Sequence, residues 1–137
     1  MGKILFTCDV ECHDPARPEN WLLGKAGKEL WLDIVCGELS KRNIEGIFFV
    51  DFVGCEKWAN TIAQVIQILK SYGQRIELHV HPSNFSAGYP RYLTELKYDQ
   101  QEQIIASAIE SYMRFTGVSP QIFRAGAYGL DNNTYNY

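Results

Sequence analysis

The feature that most constrains this chain is an alternation of two patterns. Short, nearly continuous apolar runs recur at residues 3–8 (KILFTC), 46–50 (GIFFV), 75–80 (RIELHV) and 121–125 (QIFRA), and helical stripes fill the intervals. Apolar runs of this length fit strands buried on both faces, as in a parallel sheet. From about residue 25 to 43, Leu30, Ile34, Val35 and Leu39 fall on one helical face. Over 57–72, Trp58, Ile62, Val65, Ile66 and Leu69 make a second stripe, and Gly73 suits the left-handed stop after a helix. Asp99 and Glu102 give a D-x-x-E start signal for a third helix. It turns Ile104, Ile105, Ala108, Ile109, Tyr112 and Met113 inward and ends at Gly117 and Pro120. Residues 9–23, with Pro15 and Pro18, read as a loop, as does the polar-aromatic stretch 82–98. The order βαβαβαβ predicts an α/β fold in which helices cover a parallel sheet.

At 137 residues the chain is read as one domain spanning its whole length. It is 46% hydrophobic and 21% charged, a balance that buries a core rather than staying disordered. The net charge is −3 and the 13 basic residues are scattered, which argues against a nucleic-acid or membrane-surface partner. No apolar stretch reaches the ~18–20 residues that span a bilayer. The opening MGKILFTCDVEC turns acidic after one apolar run, and Phe6 stands where myristoylation wants Ser or Thr. A cytoplasmic location is the expectation. Cys8, Cys12, Cys36 and Cys55 are then expected as free thiols. Cys8, Cys12 and His13 lie close enough in sequence for a zinc knuckle, but no second Cys/His pair follows at a structural-site spacing.

In folds of this kind the chemistry collects at the C-terminal ends of the strands. Those ends are Cys8-Asp9-Val10-Glu11, Val50-Asp51, His79-Val80-His81, and the stretch from Arg124 to Gly129. In extended backbone Asp9 and Glu11 share a face, and so do His79 and His81. Two histidines and a carboxylate make a three-ligand site with open positions, the pattern of a catalytic divalent metal. The second carboxylate is then available as the base for an attacking water. The same residues also admit plainer readings. A strand-end histidine is often a satisfied core residue, and Arg124 alone would be an ordinary ion-pair partner. Gly126 and Gly129 would mark a turn, and Asp51 would begin a loop.

Taken in order, TCDVE, GIFFV, IELHVHP and FRAGAYG resemble the polysaccharide deacetylase family, carbohydrate esterase family 4, also called the NodB homology domain. The resemblance runs from Ile4 to about Gly129. It implies a distorted (β/α) barrel and a divalent metal, most often zinc, used to remove acetyl groups from sugars. It assigns Asp9 as catalytic base and Glu11, His79 and His81 as metal ligands. Arg124 would orient and charge-balance Asp9, and the backbone N–H near Ala127 would stabilise the oxyanion. Tyr128 would form part of the groove wall, and Tyr89, with Tyr92 and Tyr98 in the 82–98 loop, a sugar platform. Two features depart from the family pattern. Its metal carboxylate is usually aspartate, and its two histidines usually stand four residues apart, which here places Ser83 against His81 as the third ligand.

Two later family motifs are missing. Residues 130–137 do not supply the acidic residue that holds the arginine, and no histidine follows His81 to protonate the departing amine. His13 is a candidate surrogate acid. A full barrel runs to roughly 200 residues or more, so about four βα units are expected, as an incomplete, N-terminal portion of the fold. Its open sheet edge would be covered by a second copy or a further segment. The expected function is deacetylation of an N-acetylated sugar of a surface polysaccharide or its precursor. The alternatives are a non-catalytic carbohydrate-binding or scaffold protein of the same fold, and a related hydrolase of non-sugar amides.

Overall fold

The structure is a computed structural model that describes residues 5–14, 16–26, 29–85, 88–132 and 134. In chain order the elements are β1 (Thr7–Val10), α1 (Pro18–Leu22), β2 (Lys25–Ala26), β3 (Glu29–Leu30), α2 (Trp31–Lys41), β4 (Ile47–Asp51), α3 (Ala59–Ser71), β5 (Arg75–Val80), α4 (Tyr98–Thr116) and β6 (Phe123–Ala125). Short 3₁₀ turns occupy Cys55–Trp58, Pro82–Asn84, Leu93–Glu95 and Gly126–Tyr128. β1, β4, β5 and β6 form one all-parallel sheet in that order, curled as half of a barrel. β2 and β3 make a separate two-residue antiparallel ribbon.

The register explains why the strands read as continuous apolar runs and yet carry charge. Asp9 aligns with Phe49 and Phe49 with Glu77, while Asp51 aligns with His79 and His79 with Arg124. Side chains alternate along a strand, so these residues share one face of the sheet. The opposite face carries Val10, Phe48, Val50, Leu78, Val80 and Ala125, which join the hydrophobic core under the helices. Both faces are buried in β4 and β5, but only one is hydrocarbon.

The α3 stripe is as predicted: Trp58, Ile62, Val65, Ile66 and Leu69 are all buried. Each contributes on the order of 1.5–3 kcal/mol of apolar burial. α2 differs. It begins at Trp31, Leu30 lies in β3, and the buried face is Leu32, Cys36 and Leu39, with Ile34 half exposed. In α4 Ile104, Ile105, Ala108 and Tyr112 turn inward, but Met113 is exposed. That helix starts one turn ahead of Glu102, and the Lys97 N–H donates to Gln100 Oε1 at 3.2 Å. Gly117 ends it in the left-handed conformation (φ 82°).

The expected first strand lies partly outside the described residues, and the observed one runs to Val10, which brings Asp9 into the sheet. Residues 9–23 are not all loop, because Pro18 opens α1. Proline at the first helical turn loses no hydrogen bond and is preset for the helix. The entry to β6 is fixed by Glu77, whose Oε2 accepts from the backbone N–H groups of Gln121 and Ile122 at 2.9 and 2.8 Å. Arg75 pairs with its other oxygen at 2.6 Å. All four cysteines are free thiols.

Candidate metal centre

β1 and β5 deliver the site. Glu11 lies one residue beyond β1, His79 near the end of β5 and His81 one residue beyond it. Alternation in the two strands turns Asp9 and Glu11, and His79 and His81, toward the same side. Glu11 Oε2 lies 3.2 Å from His79 Nε2 and also contacts His81 Nε2. The ligand atoms of these three residues all lie within 4.8 Å of one another. Among the described residues no other group of three such side chains has this spacing. Cys8, Cys12 and His13 therefore form no knuckle, and the Cys12 thiol instead meets the Asp14 carbonyl. Ser83 is exposed in the turn after His81, so His81 and not Ser83 completes the cluster.

The donor set fits a divalent metal. His79 Nδ1 is 2.8 Å from the Arg124 carbonyl, which can only accept, so that nitrogen carries the hydrogen. In the neutral ring Nε2 is then a lone pair facing a carboxylate oxygen. Two acceptors face each other stably only if something positive, a proton or a metal, lies between them. A ligating histidine characteristically donates its other nitrogen to a carbonyl in this way. His81 Nε2 is buried and touches Glu11 without hydrogen-bond geometry, leaving it with no hydrogen-bond partner among the described residues. The His79 and His81 imidazoles that face it hold the Glu11 carboxyl well below the usual range, against the opposing effect of burial. Burial pushes His79 down, but the Glu11 carboxylate, aided by Asp51 and Asp9, more than reverses that, and the net shift is upward.

Arg124 forms an ion pair with Asp9 and stacks its guanidinium over Phe49, 3.8 Å from the ring centroid. The carboxylate and the arginine named as base and partner are thus brought together. Gly126 lies against His81: a Cβ there would come within 2.4 Å of the imidazole Cε1 and Nδ1. Ala127 and Tyr128 hold left-handed backbone (φ 49° and 56°), which costs a residue with a Cβ roughly 1–2 kcal/mol. Strain of this kind persists where the surroundings impose it, often at working sites. Tyr128 is 77% exposed. Tyr89 is half-buried with its ring against Phe85, 5.3 Å between centroids. His13 is exposed in the loop after β1, with its Nε2 2.7 Å from Glu11 Oε1.

Several contributors escape sequence reasoning. Asp51 does not begin a free loop. It is buried, and it accepts hydrogen bonds from the Val53 N–H at 2.9 Å and the Asn84 amide at 2.7 Å. Burial raises its pKa. This clamp ties the end of β4 to the turn that follows His81, and Gly54 packs on the Asn84 carbonyl too closely for a Cβ. Nothing local in the sequence announces a contact between residues 51 and 84.

No family model and no curated protein sequence matches the chain. Solved structures do. A protein assigned to the polysaccharide deacetylases from Mycobacterium smegmatis superposes with a TM-score of 0.67 at 22% identity, over 96% of this chain and 45% of its own. The peptidoglycan deacetylase PdaC from Bacillus subtilis gives 0.60 at 17%, over 96% and 52%. A carbohydrate esterase family 4 domain of a multidomain xylanase, from the hindgut metagenome of Trinervitermes trinervoides, gives 0.60 at 15%, over 96% and 52%. The chain thus has the fold of these deacetylase structures and spans about half their length. No helix among the described residues is long and apolar enough to cross a membrane.

Proposed function

We propose that this chain is the metal-binding portion of a deacetylase that removes acetyl groups from an N-acetylated sugar of a surface polysaccharide or its precursor. The observation that carries the reading is the Glu11, His79 and His81 cluster beside the Asp9–Arg124 pair, at the strand ends of a deacetylase-like fold. Zinc is the proposed metal, since two imidazoles and a carboxylate with open positions suit it. Bound there, it would supply Lewis acidity, acidifying water and polarising the acetyl carbonyl.

The chain's own residues would do the rest. Asp9, held by Arg124, takes the proton of the attacking water. The backbone N–H near Ala127 donates to the oxygen that becomes negative in the tetrahedral intermediate. Tyr128, exposed at the end of that turn, forms part of the groove wall, and Tyr89 belongs to a sugar platform in the 82–98 loop. A second reading is a carbohydrate-binding or scaffold protein of the same fold, without turnover.

Acetate release from N-acetylglucosamine oligomers by the zinc-loaded chain separates the two. Zinc-dependent release that disappears in Asp9→Asn supports the hydrolase. Saturable oligomer binding without release supports the binder, and neither binding nor release removes carbohydrate from the account.

A further inference from the structure

All three histidines of the chain gather around Glu11, and the ligand cluster uses only two of them. The third, His13, addresses the other carboxylate oxygen. Its Nε2 lies 2.7 Å from Oε1, whereas His79 and His81 face Oε2. Its ring stands edge-on to Trp21, 5.0 Å between centroids at 81°, and 6.1 Å from the ring of His81. Trp21 belongs to α1, which the neighbouring Leu22 and Leu23 anchor in the core. The His13 ring, itself exposed, thus packs edge-on against a half-exposed side chain of an element anchored in the core.

We infer that His13 is a positioning residue for Glu11: its Nε2–H donates to Oε1 and sets the carboxylate so that Oε2 meets the metal ligands. The inference rests on the reading that Glu11, His79 and His81 hold a metal. The need for such a partner follows from the residue type. Glutamate has one more rotatable bond than aspartate and loses more rotamer freedom on being fixed. A hydrogen bond to the oxygen not engaged by His79 and His81 removes that freedom before a metal arrives. Partners of this kind typically account for 10–100-fold in metal affinity.

The test is zinc affinity, measured by competition with a chromophoric chelator for wild type, His13→Ala and His13→Gln. Glutamine keeps an N–H donor near the position of imidazole Nε2 but is a poor zinc ligand. The expected result is affinity about 10–100-fold weaker in His13→Ala and close to wild type in His13→Gln. Urea midpoints of the metal-free variants show whether each is folded. Unchanged affinity in His13→Ala would overturn the inference. Equal loss in both variants would also overturn it, by making His13 a direct fourth ligand. If the wild type binds no zinc, the metal reading itself fails, a result distinct from either.

Discussion

Gly126→Ala is the sharpest probe of how the fold shapes the site. A Cβ at this position would lie 2.4 Å from His81 Cε1 and Nδ1 and 2.7 Å from Cγ. Carbon–carbon contacts settle near 3.5 Å or beyond, so the imidazole must retreat by about 1 Å. Metal ligands tolerate only about 0.2 Å. The ring is buried, so the overpacking should cost about 1–3 kcal/mol. For a chain of this size that is roughly 3–10 °C in Tm. Zinc affinity should fall at least as far as on losing a positioning partner, on the order of 10–100-fold. The cause can be isolated by a double-mutant cycle, with thermal unfolding of the metal-free protein as the assay. In a His81→Ala background the clashing ring is gone, so the cost of Gly126→Ala should largely vanish. An equal cost in both backgrounds would refute the steric argument, as would undiminished zinc affinity in the single variant.

Three other perturbations test separate parts of the account. The first is pH. The His79 pKa is raised above its ordinary 6.5 by Glu11, so the stability it lends the metal-free fold is present below about 6.5 and lost as pH rises through the folded value. Glu11, held low, adds a term that is constant over this range. Zinc must displace the His79 proton, so the Tm gain on adding zinc should widen from pH 6 to pH 8, and a constant gain would contradict the assignment. The second is Glu77→Ala, which strips the acceptor from two backbone N–H groups at the entry to β6. It should cost about 3 kcal/mol in urea unfolding, and a loss below about 1 kcal/mol would show that the β6 entry does not depend on it. The third concerns the thiols. Burial pushes Cys8 up to about 11 and Cys36 up to about 12, leaving roughly one part in a thousand or less as thiolate at pH 8. Folded protein should therefore resist iodoacetamide at half-buried Cys8 and buried Cys36 until urea is added, and prompt labelling read by mass spectrometry would contradict the low thiolate fraction.

What the sequence makes legible is what a single segment decides. β5 coincides with RIELHV because a continuous apolar run bounded by Gly73 and Pro82 admits one strand and one register. The α3 stripe has no competing face, so its core residues follow from spacing alone. α2 has two candidate faces, one through Ile34 and one through Leu32 and Cys36, and only contact with the sheet chooses between them. The same division holds at the site. Asp9 with Glu11 and His79 with His81 follow from the period of an extended chain. The His13–Glu11 bond depends on how the chain turns after β1. The Asp51–Asn84 clamp and the Gly126–His81 cradle join strand ends that only the assembled sheet brings together.

The central claim is that Glu11, His79 and His81 form a divalent metal site. Elemental analysis after zinc loading and exhaustive dialysis tests it directly, for wild type beside Glu11→Ala, His79→Ala and His81→Ala. The account predicts one zinc per wild-type chain and loss of most of it in each variant, with the variants still folded by circular dichroism. A wild type that retains no metal would contradict it, as would zinc that stays at full stoichiometry when His79 is removed.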